Sequence, residues 1–178
     1  MKILAFAGSS SRRSINRALA RHALGRLKDI FPAAEAELAD LNDFETPLYS
    51  IDREEAEGIP ASADRFRAKI QEADLILISF AEHNGSYAVA YKNLFDWMSR
   101  LEGKVYQDSK LVLLSASPGG RGGATVMEHA TATLPHHGAQ ILGTLSFPRF
   151  YDIFDIDRGE LRDREWTGKL DELLSELA

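Results

Sequence analysis

From Leu75 to Phe80 the chain reads Leu-Ile-Leu-Ile-Ser-Phe. So short a run is a poor helix, and so unbroken an apolar run leaves no side for water. A strand of this kind must be covered on both faces, as strands of parallel sheets are. Comparable runs lie at residues 3–7, 111–116 and 141–147, with a weaker one at 37–41. Helical spacing fills the intervals. Ser14 is a candidate N-cap, followed by Ile15, Leu19, Ala23, Leu27 and Ile30. Phe66, Ile70 and Ala73 mark a second helix starting near residues 62–64, and Tyr91, Leu94, Phe95 and Met98 mark a third. Residues 123–137 and 167–177 suit a fourth and a fifth. Strand and helix alternating in this way predict an α/β chain, with a doubly wound, five-stranded parallel sheet and helices on both faces. The expected strand order is 2-1-3-4-5. Residues 46–61 are polar and read as a loop; residues 147–161 are aromatic-rich and irregular.

The 178 residues carry no repeat and no linker, so residues 1–178 read as a single domain. The formal net charge of −6 argues against a general nucleic-acid binder and against docking to an anionic membrane. With no cysteine, disulfides, thiolate metal sites and a Cys nucleophile are excluded. The first apolar run is too short for a signal peptide, and none approaches the ~20 residues that span a bilayer. A cytoplasmic protein is expected.

Open α/β sheets bind ligands beyond the carboxyl ends of their strands, where the strand order reverses. Three loops lie there, and they are the most unusual segments of the chain. The first, residues 8–16, offers Gly8 for a tight turn, the hydroxyls of Ser9, Ser10, Ser11 and Ser14, and free amides at a helix N-terminus. That combination suits a terminal phosphate. It lacks the Gly-Lys-Ser/Thr of a Walker A loop and the Gly-x-Gly of a dinucleotide fingerprint. The second loop, residues 81–87, carries the turn signal Asn84-Gly85 and continues into a helix where Lys92 and Asp96 can pair. The third, residues 115–123, holds Gly119, Gly120, Gly122 and Gly123, which implies close approach of its backbone to something. Gly120-Arg121-Gly122 is half of a Gly-x-Gly-x-x-Gly motif. Its sixth position is Thr125, and the ribose-binding acid is missing, with Gln140 in its place.

His22, His129 and the adjacent His136 and His137 lack metal-ligand spacing, and no metal site is expected. One of the last two reads as a partner for a helix C-terminal dipole and the other as a surface residue.

Taken together, the motifs Gly8-Ser9-x-Ser11-x-x-Ser14-x-Asn16, Glu82-x-Asn84-Gly85-Ser86, Lys92-Asn93-x-x-Asp96-Trp97 and Ser117-Pro118-Gly119-Gly120 resemble the NADPH-dependent FMN reductase family. That family is flavodoxin-like and includes quinone, chromate and azo-dye reductases. The resemblance covers roughly the first 145 residues. It implies non-covalent FMN, with Ser9, Ser11, Ser14, Ile15 and Asn16 at the phosphate. Glu82, His83, Asn84 and Gly85 would meet the isoalloxazine largely through backbone groups, and Ser117, Gly119 and Gly120 its pyrimidine side. Many members have Arg where this chain has Ser11, and Pro-Glu-Tyr-Asn where it has Ala81-Glu82-His83-Asn84. Tyr49 either borders the cofactor or packs its loop onto the body.

The implied activity is ping-pong transfer of a hydride from NAD(P)H, through flavin N5, to a small acceptor: a quinone, an azo compound, a flavin or a metal oxyanion. No catalytic side chain is required. His83 is the titratable group expected near the ring, as a proton or hydrogen-bond donor or as a bystander. The alternative is a flavodoxin-type electron carrier that does not itself oxidise NAD(P)H. A phospho-receiver of the same fold would need an aspartate where this chain has Ser79-Phe80-Ala81. Family members usually dimerise, and the aromatic helix bearing Tyr91, Phe95 and Trp97 points to a homodimer or homotetramer.

Overall fold

The computed structural model describes residues 1–177. In chain order the elements are β1 (Lys2–Gly8), α1 (Ile15–Ile30), β2 (Glu35–Ala39), α2 (Ile51–Glu57), α3 (Ala61–Glu72) and β3 (Leu75–Phe80). A two-stranded ribbon follows, β4 (Glu82–His83) with β5 (Ser86–Tyr87), then α4 (Val89–Met98), β6 (Lys110–Ala116), α5 (Ala124–Thr133) and β7 (Gln140–Phe147). The last part is α6 (Phe150–Ile153), a second ribbon of β8 (Phe154–Asp155) and β9 (Glu160–Leu161), and α7 (Arg164–Ser175). Single turns of 3-10 helix stand at Leu41–Phe44 and Leu134–His137.

The main sheet has the order β2-β1-β3-β6-β7, every neighbouring pair parallel. Counting sheet strands alone, this is the expected 2-1-3-4-5. Every residue of β3 is buried, as its unbroken apolar run requires. Alternate residues feed two cores. Ile3, Ala5, Leu75, Leu77, Val112 and Leu114 pack beneath α1 and α7. Leu4, Phe6, Ile76, Ile78, Leu111 and Leu113 pack beneath α3, α4 and α5. Each fully buried Val, Leu, Ile or Phe among them stabilises the fold by roughly 1.5–3 kcal/mol relative to exposure.

Several boundaries and one helix differ from the sequence expectation. The second strand ends at Ala39, because Asp40 turns the chain by accepting the Asn42 N–H at 3.0 Å. The helix expected over residues 123–137 changes to 3-10 at Leu134, because Pro135 has no N–H to continue it. The supposed loop at 46–61 contains α2. Ser50 caps it by accepting the Arg53 N–H, and Gly58 ends it at φ 78°. None of its residues is buried, so no apolar stripe announced it. The stretch at 147–161 is ordered around buried Phe147, Phe150, Ile153, Phe154 and Leu161.

The surface argument for self-association through α4 also fails. Tyr91, Phe95 and Trp97 are all buried within the chain. The Trp97 Nε1–H donates to the Pro47 carbonyl at 2.7 Å, and the Tyr49 ring packs edge-on against the indole at 5.0 Å. The turn following β2 has therefore already covered this helix. The predicted Lys92–Asp96 pair is present at 2.7 Å.

Candidate functional site

The first switch-point loop leaves β1 at Gly8. This glycine is needed for packing: a methyl group there would lie 2.9 Å from Phe80 Cδ1, and its φ is not positive. The Ser11 N–H donates to Ser9 Oγ at 3.2 Å, and the Ser14 N–H to the Ser11 carbonyl at 3.1 Å. Ser14 caps α1 as predicted, its Oγ accepting the Arg17 N–H at 3.2 Å. Among the described residues, the Ile15 and Asn16 N–H groups have no acceptor. Unmet donors at a helix N-terminus attract anions.

The Asn16 side chain has a different task. It is 2% exposed; its Nδ2 donates to the Ala116 carbonyl at 3.1 Å, and its Oδ1 accepts from the Ala116 N–H at 2.9 Å and Ser79 Oγ at 2.8 Å. One amide thus fastens the start of α1 to the ends of β3 and β6. What remains for a ligand is the Asn16 backbone N–H.

The second loop is the β4–β5 ribbon. Asn84 and Gly85 both take positive φ, 53° and 76°, the geometry of a tight hairpin turn. Glu82 accepts the Val126 N–H at 2.9 Å, so its carboxylate caps α5 and fixes the ribbon against that helix. His83 is exposed.

In the third loop the glycines divide by role. A methyl group on Gly122 would stand 2.7 Å from the Phe147 carbonyl carbon and the Pro148 nitrogen; one on Gly123 would stand 3.0 Å from Ser115 Cβ. Both have positive φ. Their close approach is to the protein itself. Gly120 has nothing within 4 Å of a built Cβ, and Gly119 meets only Ser117 Oγ at 3.9 Å. These two leave open space.

A groove of about 220 Å³ joins the three loops. Of the predicted residues, Ser9, Ser11, Ser14, Ile15 and Asn16 line one end, and Glu82, His83 and Ser117 line the rest. Asn84, Gly85, Gly119 and Gly120 stand on the same loops outside its wall. Ser10 turns away to a separate hollow, so three serines converge rather than four. Tyr49 packs its loop: its hydroxyl donates to Glu54 and its N–H to Asn93 Oδ1. Arg13 and Tyr151, which are not among the site residues the resemblance implies, also line the groove. The signal for Tyr151 was its place in the aromatic stretch beyond the fifth strand.

The other histidines lie elsewhere. His22 packs edge-on to Phe154 at 5.8 Å, and burial, then Arg26, lowers its pKa. His137 packs against Phe95 at 4.8 Å, and burial, then His136 and Lys104, lowers its pKa, so it favours the neutral form over a charged dipole partner. Among the described residues no His, Asp and Glu cluster is placed to hold a metal, and no helix is long and apolar enough to cross a membrane.

The sequence of residues 1–152 matches the family described as NADPH-dependent FMN reductase. The chain belongs to that family. As an FMN reductase family member it is 35% identical to an NAD(P)H-dependent FMN reductase of Pseudomonas aeruginosa, over 75% of this chain and 69% of that one. It is 28% identical to a quinone reductase of Escherichia coli, over 99% of this chain and 92% of the relative. Among solved structures, the flavoenzyme NAD(P)H:(acceptor) oxidoreductase FerB of Paracoccus denitrificans matches with a TM-score of 0.75 and 25% identity, covering 98% and 93% of the two chains. The FMN reductase match stops within α6, so β8, β9 and α7 extend beyond it.

Proposed function

We propose that residues 1–178 form one FMN-binding domain that oxidises NAD(P)H and reduces a small acceptor in a ping-pong cycle. The observation that carries this reading is the pair of unmet amides at Ile15 and Asn16, opening on the groove that also receives residues 82–83 and 117–118. A phosphate monoester fits one end of such a groove, and a flat ring fits the other. Ser9, Ser11, Ser14, Ile15 and Asn16 would hold the phosphate. The backbone from Glu82 to Gly85 would face the isoalloxazine, and Ser117, Gly119 and Gly120 would offer donors to its carbonyl edge, where negative charge accumulates on reduction. When bound, FMN would supply the redox chemistry, hydride acceptance from NAD(P)H and delivery of reducing equivalents to the acceptor. The protein's share is to orient the ring and leave one face open to donor and acceptor in turn. His83 stands exposed on the rim, where it can hydrogen-bond an acceptor.

The acceptor class is that of the relatives, a quinone first, with azo compounds, flavins and metal oxyanions sharing the same open face. A homodimer or homotetramer in the cytoplasm completes the reading. Support for self-association comes from Leu48 and Val89, 68% and 69% exposed, which border a hollow of about 320 Å³. Leu48→Glu with Val89→Glu should reduce the mass measured by light scattering; an unchanged mass rejects this surface.

The decisive experiment is the visible spectrum of the FMN-loaded protein, followed anaerobically with NADPH and then NADH. Prompt bleaching, with colour restored by a quinone, is expected. A bound flavin that NAD(P)H does not bleach makes the chain an electron carrier instead. No flavin binding overturns the reading.

A further inference from the structure

Of the residues that line the groove between the three loops, Glu82 alone carries a carboxylate. The permanent cation of that groove, Arg13, belongs to the serine loop, whereas Glu82 belongs to the ribbon that leads away from β3. Among the described residues no Lys, Arg or His lies within ion-pair distance of Glu82. The wall opposite the phosphate end therefore holds a negative charge with no counter-ion.

That charge is held still. Glu82 Oε2 accepts the N–H of Val126, the third residue of α5, at 2.9 Å. The positive end of the helix dipole makes the carboxylate tolerable there without a cation. Glu82 and Tyr87 pair across the ribbon, and residues so opposed project to one side. The Tyr87 ring packs on His129 of α5 at 5.0 Å, on Phe80 at 5.1 Å and on Tyr91 at 4.9 Å. At the tip, a methyl group on Gly85 would meet Thr125 Cγ2 at 3.6 Å. Thr125, Val126 and His129 share one face of α5, and the ribbon is docked along it. Glu82 cannot leave the groove wall without giving up its bond to α5.

A fixed carboxylate matters little to a neutral ring. It matters when the ring changes charge, because negative charge accumulates on a flavin as it is reduced and a nearby carboxylate opposes that gain. We propose that Glu82 sets the reduction potential of the bound flavin, holding it low so that the reduced ring is a stronger donor to the acceptor. The proposal rests on the flavin reading above. Two parts of the wall then act in opposite senses: donors at residues 117–120 favour the charge of the reduced ring, and Glu82 disfavours it. The charge of Glu82 is separable from its cap, since Gln keeps an acceptor for Val126 and carries no charge.

The test is an anaerobic redox titration of the FMN-loaded protein against a dye of known potential, read in the visible spectrum. Glu82→Gln should raise the two-electron midpoint by about 30 mV, equivalent to a tenfold gain in affinity for reduced over oxidised FMN. The flavin-free variant should melt near the parent temperature. Glu82→Ala should raise the midpoint as well, with a loss of stability that the Gln variant does not share. Glu35→Gln, the same charge change at the exposed start of β2 and the opposite end of the sheet, should leave the midpoint unaltered. A Glu82→Gln midpoint equal to or below that of the parent overturns the proposal and leaves FMN binding intact. So does an equal rise in Glu35→Gln, which would make the effect one of net charge. So does a rise in Glu82→Ala alone, because the cap and not the charge would then govern the ring. A parent protein that binds no flavin removes the underlying reading, and this one with it.

Discussion

Asn16→Ala should destabilise the flavin-free protein more than most polar substitutions. The side chain makes three buried hydrogen bonds, at 2.8, 2.9 and 3.1 Å, and its removal strands the Ala116 N–H, the Ala116 carbonyl and the Ser79 hydroxyl. Each neutral bond contributes about 1 kcal/mol net, and each group left buried without a partner costs about 1–3 kcal/mol. Entry of a water would restore some of these bonds. The expected loss is therefore about 2–4 kcal/mol, or a fall in Tm of roughly 5–15 °C for a chain of this size. Urea denaturation followed by circular dichroism, without flavin, measures it free of cofactor loss. A loss below about 1 kcal/mol with an unchanged m-value would refute the clamp. Unchanged stability with lost flavin affinity would make the side chain a direct ligand instead.

The two kinds of glycine in the third loop should respond oppositely. Gly122→Ala, at φ 62° with backbone 2.7 Å away, should cost about 3 kcal/mol or prevent folding. Gly120→Ala should leave flavin-free stability within about 0.5 kcal/mol yet weaken FMN about tenfold; equal FMN affinity would remove Gly120 from the site. His22 binds its proton less readily when folded than the usual 6.5 of the free side chain, so the unfolded chain takes up more protons and stability falls as pH drops below 6.5. His22→Gln should flatten the stability curve below that pH, with a residual slope from His137; a slope equal to the parent's rejects the assignment. Glu82→Ala should cost about 1 kcal/mol through loss of the α5 cap, while Glu82→Gln keeps an acceptor for Val126 and retains most of it, as thermal melts will show.

Sequence pattern specified the sheet well, because β1, β3 and β6 are buried on both faces and their composition shows it. It specified α2 poorly: a helix with no buried residue has no apolar periodicity to detect, and only Ser50 and Gly58 mark its ends. That the three loops share one groove was legible, since strand order dictates where switch-point loops lie. Roles inside those loops were harder to read. That Asn16 spends its side chain on residue 116, or that a side chain on Gly122 would strike Phe147 while one on Gly120 would meet nothing, depends on contacts between residues far apart in the chain. The aromatic face of α4 misled for the same reason, because what covers Trp97 is the turn at Pro47. Tyr151 reaches the groove only because the chain folds back after β7.

The order of strands across the sheet also governs when the site can come into being during synthesis. Its walls are contributed by residues 9, 11, 13–16, 81–83, 116–118 and 151, on loops that follow strands adjacent in space but distant along the chain. A ribosome-bound chain that has emerged only through β3 carries the serine loop but neither Ala116 to receive Asn16 nor the opposite wall. Under the proposed function, cofactor capture in this groove is a late event, and a prematurely ended chain should be colourless. Once captured, the ligand opposes opening of the whole sheet rather than of one loop, so its dissociation and global unfolding should share a rate at low flavin concentration.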